Sequence, residues 1–100
     1  MREVVLSKNA SIKLENLLQY LESEWSNKVK QNFIQKLDKA ITQIQKYPTS
    51  FEKSELKPDF YRCIVTKQTS LYYKFDAKKV YVVAIFDNRM NPKNLKEETK

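Results

Sequence analysis

The sequence contains no histidine and no glycine, and it has a single cysteine, Cys63. Without histidine the usual imidazole base is missing, and so is any Ser-His or Cys-His nucleophile. One cysteine without histidine leaves no ligand set for zinc. The lack of glycine excludes a phosphate-binding P-loop and a dinucleotide-binding fingerprint. Scattered carboxylates could still hold magnesium, but no pair has a suggestive spacing on one predicted surface, so we expect neither a metal ion nor a cofactor.

Cys63 lies in an apolar segment, which favours a small core residue over a reactive thiol. A lone cysteine forms no intramolecular disulfide, so no oxidising compartment is indicated. The apolar run near Met1 is too short for a signal peptide, and no segment reaches the ~20 apolar residues of a membrane span. These features predict a cytoplasmic location and no contact with membranes.

Positive charge is in excess, with a formal net charge of +7 spread along 100 residues. A basic surface attracts nucleic acid, the ribosome or an acidic protein, although a basic protein that is simply soluble has the same charge. With 41% hydrophobic and 31% charged residues, the chain suits one small domain rather than a disordered or membrane protein. Because so small a domain has little room for a deep pocket, we expect its chemistry on a surface groove.

Two amphipathic helices are predicted by apolar residues that repeat with the helical period. Ser7 is placed to cap the first helix, and Ser26-Asn27 interrupts the pattern and can cap the second. Pro48 ends the second helix because proline has no N–H donor and disfavours helical geometry in the residue before it. The short connection makes the pair an antiparallel hairpin. The apolar stripes are Leu14, Leu17, Leu18, Leu21 and Trp25, then Val29, Phe33, Ile34, Leu37, Ala40, Ile41, Ile44 and Tyr47.

A strand is predicted over Glu3–Leu6, before the helices, and three strands follow them. Short polar connectors between these three suit antiparallel hairpins, and the last strand is apolar throughout, which favours a central, covered position. The three strands cover about residues 59–66, 70–76 and 79–86.

The order strand, helix, helix, strand, strand, strand predicts an α+β domain (β-α-α-β-β-β) with the helical hairpin on one face of the sheet. The other face is then the natural docking surface. Between helices and strands, residues 48–58 form a surface loop that Phe51 and Leu56 can hold down. We assign residues 1–95 to the domain and 96–100 to a polar tail.

The candidate functional residues are basic and aromatic side chains of the sheet. Arg62 can hold a phosphate or carboxylate with its guanidinium fork, or it can face solvent and pair with Asp59 or Asp76. Arg89 follows the last strand, where it either lies beside a groove or ties the tail to the sheet. Strand tyrosines can stack on bases or pack in the core, and lysines can add a basic rim. These are Tyr61, Tyr72, Tyr73 and Tyr81, with Lys57, Lys67 and Lys74.

The order and spacing of these features resemble the RelE/ParE toxin superfamily of type II toxin–antitoxin systems, over about residues 2–95. The likeness rests on Leu6-Ser7-x-x-Ala10, on Pro48 after the helices and on Arg62 at the start of the three strands. It closes with Leu71-Tyr72-Tyr73, Val82-Val83-Ala84-Ile85-Phe86 and Asp87-x-Arg89-x-Asn91-Pro92. The last motif looks most like ParE-type and plasmid stabilisation proteins.

The resemblance implies a toxin that is neutralised by a cognate antitoxin, an acidic and partly disordered protein encoded alongside. A homodimer or a hetero-oligomer with the antitoxin is consistent with it. ParE-type members inhibit DNA gyrase, whereas RelE-type members cleave mRNA on the ribosome without metal. Arg62 matches the superfamily's sheet arginine and Arg89 the arginine after the last strand. These two would be the catalytic residues of a nuclease.

No histidine is present and no tyrosine follows Tyr81, so a general acid for cleavage is not evident. We therefore predict a ParE-like toxin that binds gyrase. The alternatives are a ribosome-dependent endoribonuclease and an inactive family member that serves only as a binding module. The predicted target-binding residues are Lys57, Tyr61, Arg62, Lys74, Asp87 and Arg89.

Overall fold

The computed structural model describes residues 1–55 and 58–89, which contain two helices and five strands. The predicted tail at 96–100 lies outside the described residues, as do Leu56 and Lys57. The elements are β1 (Glu3–Leu6), α1 (Lys8–Glu24), α2 (Asn27–Lys46), β2 (Glu52–Lys53), β3 (Tyr61–Ile64), β4 (Thr69–Phe75) and β5 (Lys79–Asp87).

The predicted caps of both helices are present. The Ser7 hydroxyl accepts the amide of Ala10 at 3.0 Å, and the Ser26 hydroxyl accepts the amide of Val29 at 3.1 Å. Each cap satisfies an N–H that has no partner within its helix. The prediction is wrong for the last residue of each apolar stripe. Trp25 and Tyr47 are the C-cap residues, where the helix ends and the side chain leaves the buried face, so both are largely exposed.

The strands form one mixed sheet in the order β1-β5-β4-β3-β2. β1 pairs with β5 in parallel, and all other pairs are antiparallel. β5 is an interior strand, as predicted, but only one of its faces is covered, since Phe86 is exposed on the other. The two-residue strand β2 was not predicted. It pairs Glu52 with Arg62 and Lys53 with Tyr61.

The core lies between the helical hairpin and one face of the sheet. Tyr73 is fully buried at its centre, stacked on Tyr61 at 5.5 Å between ring centroids and donating its hydroxyl to the carbonyl of Pro48 at 2.6 Å. Phe51 packs edge-on against the same ring at 6.3 Å, which confirms its predicted role in holding the loop. The other buried residues are Ala10, Leu17, Leu21, Phe33, Leu37, Ile44, Cys63, Leu71, Val80, Val82 and Ile85.

The hairpin turns close without glycine, and no described residue has a positive φ. Side-chain oxygens take the role that a left-handed residue has in many turns. One Asp76 carboxylate oxygen accepts the amides of Lys78 and Lys79, both at 2.8 Å. In the preceding turn, the Thr66 hydroxyl accepts the amide of Thr69 at 3.1 Å. Within the described residues, no helix is long and apolar enough to cross a bilayer.

Candidate functional site

The alternation of side chains along the strands decides which candidate residues face outward. Cys63, Leu71 and Tyr73 are buried beneath the helices, so their strand neighbours lie on the uncovered side of the sheet. We call this side the open face. It carries Arg62, Ile64, Ser70, Tyr72, Lys74, Tyr81 and Phe86.

Arg62 lies on the open face and contacts Glu52, with 3.3 Å between Nη1 and Oε1. Its partner is therefore neither Asp59 nor Asp76, because the unpredicted β2 brings Glu52 opposite Arg62. The two side chains are 39% and 66% exposed, and exposed ion pairs contribute only about 0–1 kcal/mol. The Nε of Arg62 is buried and has no hydrogen-bond partner among the described residues, so the outer nitrogens are the part of the guanidinium that a ligand can reach. A phosphate or carboxylate of a partner can therefore replace Glu52 at little cost.

Lys74 supplies the second basic group of the open face. Its ammonium lies 5.9 Å from the ring centroids of both Phe60 and Tyr81, a distance at which a cation is attracted to an aromatic face. Nearby, Tyr72 packs edge-on against the exposed Phe86 at 5.7 Å. The open face thus combines two cations with exposed aromatic and aliphatic side chains.

Tyr61 faces the core rather than the open face. It stacks on Tyr73 and lies 5.6 Å from the ring of Phe75. Burial raises the pKa of Tyr73, and it raises the pKa of the neighbouring Cys63 thiol to about 11, which keeps that thiol protonated at neutral pH. Of the four strand tyrosines, Tyr72 and Tyr81 remain on the open face.

Asp87 and Arg89 form a buried ion pair on the helix side of the sheet, at the end of β5. The Asp87 carboxylate, 1% exposed, accepts Arg89 Nη2 at 2.8 Å and the Arg89 amide at 2.9 Å, and it also accepts the Thr69 hydroxyl. Burial alone would raise the pKa of Asp87. The hydrogen bonds from Arg89 and Thr69 outweigh it and lower that pKa, so the carboxylate is charged.

Arg89 is held from two further sides, by Tyr20 of α1 and by Trp25, the C-cap residue of that helix. Its guanidinium carbon lies 5.9 Å from the ring of Trp25, and Tyr20 donates its hydroxyl to the Arg89 carbonyl at 2.7 Å. The side chain is 16% exposed. This geometry matches the interpretation of Arg89 as a tie between the chain after β5 and the sheet. We call the group Thr69, Asp87, Arg89, Tyr20 and Trp25 the latch.

The structure does not bring the predicted residues into one cluster. Arg62 and Lys74 share the open face, Tyr61 is in the core, and Asp87 and Arg89 belong to the latch on the opposite side. Lys57 lies outside the described residues. The sequence analysis missed Glu52, Tyr20 and Phe60, and only the strand pairing and the helix packing show their contacts. Among the described residues, no three acidic, cysteine or histidine side chains are placed to hold a metal ion.

Solved structures show that this architecture recurs among toxins. The chromosomal ParDE system from P. aeruginosa matches with a TM-score of 0.71 at 10% identity, over 87% of this chain and 96% of that one. The YoeB dimer from Staphylococcus aureus matches with a TM-score of 0.63 at 12% identity, over 85% and 94%. The E. coli DinJ-YafQ complex matches with a TM-score of 0.62 at 14% identity, over 89% and 96%. No curated protein sequence matches the chain.

The fold and its relatives define a class, the toxins of type II toxin–antitoxin systems with a ParE/RelE-like α+β fold. A family model described as the ParE toxin of the type II toxin-antitoxin system parDE matches residues 4–92. The chain therefore belongs to the ParE toxin family. The match begins at the second residue of β1 and extends through the latch, so it reaches every element of the fold.

Proposed function

We propose that this toxin stops growth by binding DNA gyrase and does not itself catalyse a reaction. The observation that carries the proposal is the separation of its two candidate catalytic arginines. Arg62 lies on the open face beside Glu52, whereas Arg89 is locked to Asp87 on the other side. Two groups that must act on one phosphate need to lie within hydrogen-bond reach of it, and their placement on opposite faces of the sheet argues against joint action.

The open face is the surface we propose for the target. It is the uncovered side of the sheet, it bears Arg62 and Lys74, and it exposes Ile64 and Phe86 as apolar contacts. Cations around an apolar centre are common in protein interfaces, where the charges steer association and the apolar centre supplies affinity.

A gyrase supercoiling assay with the purified chain tests the proposal. We expect inhibition that grows with toxin concentration, and we expect the Arg62→Ala/Lys74→Ala variant to be several-fold weaker. Lys36→Ala/Lys39→Ala, on the exposed surface of α2, removes the same charge elsewhere and should inhibit like the parent chain. Supercoiling that is unchanged at saturating toxin would refute gyrase as the target.

A ribosome-dependent endoribonuclease is the second candidate, and one feature of the open face favours it. Tyr72 is the cross-strand partner of Arg62, so a phenol lies beside a guanidinium on the open face. In that mechanism Arg62 stabilises the charge that develops on the phosphate, and Tyr72 or Lys74 handles the proton.

Primer extension on translated mRNA in induced cells separates the two mechanisms. Codon-linked cuts that disappear in Arg62→Ala would establish the nuclease and contradict a purely inhibitory toxin. Growth that is unaffected by induction without an antitoxin would instead identify an inactive family member that serves as a binding module.

We further propose that a cognate antitoxin, encoded alongside, binds this basic chain through an acidic segment that orders on binding. Membership of the family supports this, and so does the likeness of the fold to the ParDE system and to the DinJ-YafQ complex. Coexpression with the product of the adjacent reading frame should yield a stable complex and restore growth. Purification of an unchanged monomer from that coexpression would contradict the proposal.

A further inference from the structure

The end of the sheet opposite the latch carries a basic groove that none of the functions above uses. It lies where β1 begins, α2 ends and the β4–β5 hairpin turns, and its volume is about 660 Å³. Arg2, Lys46 and Lys78 line it together with Tyr47, and the remaining lining residues carry no acidic side chain. We call it the Arg2 groove.

Among the described residues, Arg2 is fixed in this groove without a counter-charge. Its Nε donates to the carbonyl of Asp76 at 2.8 Å, and its Nη1 donates to the carbonyl of Gln45 at 3.3 Å. The guanidinium also lies over the ring of Phe75, 5.3 Å from its centroid, and Gln45 Nε2 returns a hydrogen bond to the Arg2 carbonyl at 2.8 Å. The side chain is thus held in place by neutral groups.

Its charge remains available to a ligand. The sequence has three arginines, and within the described residues Arg62 and Arg89 each pair with a carboxylate while Arg2 does not. Lys46 and Lys78 likewise form no ion pair with any described residue. Glu3, adjacent to Arg2, forms no ion pair among the described residues either, and the carboxylate of Asp76, two residues before Lys78, accepts the amides of the hairpin turn.

An exposed aromatic ring completes the site. Tyr47 is 63% exposed and, among the described residues, its ring makes no contact with another ring and its hydroxyl makes no hydrogen bond. Proteins bind single-stranded nucleic acid with cations that contact the phosphate backbone and with aromatic rings on which the bases stack. The Arg2 groove contains both.

We propose that the Arg2 groove binds single-stranded nucleic acid, with the phosphodiester backbone on Arg2, Lys46 and Lys78 and a base stacked on Tyr47. Acidic peptides satisfy the same cations but gain less from the exposed ring, so the nucleic acid is the better fit. The inference goes beyond gyrase inhibition and does not depend on it, because the isolated chain is sufficient for the site.

Fluorescence anisotropy with labelled oligothymidylate and oligouridylate of equal length tests the proposal on the full chain. We expect Lys46→Gln/Lys78→Gln to weaken binding by about tenfold and to reduce the slope of log K against log salt by about 1.4, for two lost phosphate contacts. The matched control is Lys36→Gln/Lys39→Gln, which removes the same charge from the exposed surface of α2 and should bind like the parent chain. The ratio of the two parent affinities shows whether DNA or RNA is preferred.

Tyr47→Ala provides a second variant that does not alter the charge. It should weaken binding of the single strands several-fold and leave binding of duplex DNA unchanged, since only an unpaired base can stack on the ring.

The proposal would be overturned if Lys46→Gln/Lys78→Gln and its control Lys36→Gln/Lys39→Gln lost equal affinity, or if neither lost any. A labelled glutamate oligomer that depends on Lys46 and Lys78 while the oligonucleotides do not would also overturn it, in favour of an acidic peptide. Gyrase inhibition is measured separately, so the failure of one proposal leaves the other intact.

Discussion

The two ends of β5 each carry an arginine from outside the strand, and the surroundings of these arginines differ. At the carboxyl end, Arg89 faces the buried Asp87 and is covered by α1. At the hairpin end, Arg2 is held by two carbonyls and keeps its charge unpaired among the described residues. The ends are roughly 26 Å apart at the usual ~3.3 Å per residue of a strand. The guanidinium of Arg89, paired with a buried carboxylate, stabilises the fold. The guanidinium of Arg2, held without a counter-ion in the described part of the chain, is available to bind an anionic ligand.

The same substitution at both ends should separate these roles most strongly. Arg89→Met leaves the Asp87 carboxylate buried without its cation, and we expect the free energy of unfolding to fall by about 3 kcal/mol. Arg2→Met keeps aliphatic packing on Phe75 and removes two hydrogen bonds to carbonyls and the cation over that ring, all replaceable by water, so the loss should be about 1 kcal/mol. Urea denaturation followed by circular dichroism at neutral pH measures both. Equal losses of stability in Arg89→Met and Arg2→Met would contradict the different roles assigned to the two arginines.

Acid should act on the carboxyl end through Asp87. Its pKa is lower in the folded chain than in the unfolded one, so its stabilising contribution is complete above the unfolded value of about 3.9 and is lost as the pH falls through the folded value. We expect the parent chain to lose stability below about pH 4 more steeply than Asp87→Asn. Urea midpoints across the acid range test this. Other carboxylates and the rising positive charge affect both proteins alike, so parallel curves would contradict the role of Asp87.

A smaller effect is expected from the hydroxyl that completes the latch. Thr69→Val removes the hydrogen bond to Asp87 while nearly conserving volume, and because both groups are buried we expect a loss of about 1.5 kcal/mol. At the hairpin end, Tyr81→Phe removes a 3.3 Å hydrogen bond to the exposed Asp76 carboxylate, where water can replace it, and no measurable change is expected. Thermal melts of the two variants provide the comparison. A larger loss of stability in Tyr81→Phe than in Thr69→Val would contradict this prediction.

Much of the fold could be predicted from local patterns. The apolar stripes through Leu17, Leu21, Phe33 and Leu37 and the cap at Ser7 depend on residues close in sequence, and the structure confirms them. β2 could not be predicted because two residues carry no alternation, and its pairing with β3 is set by the path of the loop.

The candidate site was harder to predict because its contacts join distant parts of the chain. Arg62 and Lys74 share a face as the strand pattern implies. The partner of Arg89 is local in sequence, but its burial depends on Trp25 and Tyr20 from α1. Arg2 left no signal in the sequence at all, since its partners are backbone carbonyls of residues 45 and 76, which any side chains could supply.

The smallest expected effects concern the exposed aromatic residues at the two ends of β5, Trp25 near Arg89 and Tyr47 in the Arg2 groove. Trp25 lies against the guanidinium of Arg89, and a cation–π contact at such a site contributes about 0.5–1 kcal/mol, so Trp25→Ala should destabilise the chain by that amount. Tyr47 contacts no cation or ring among the described residues, so Tyr47→Ala should leave stability unchanged while it weakens nucleic-acid binding. Melting and anisotropy measured on both variants should therefore give opposite patterns. If Trp25→Ala loses oligonucleotide binding and Tyr47→Ala loses stability, the roles assigned to the two ends are reversed.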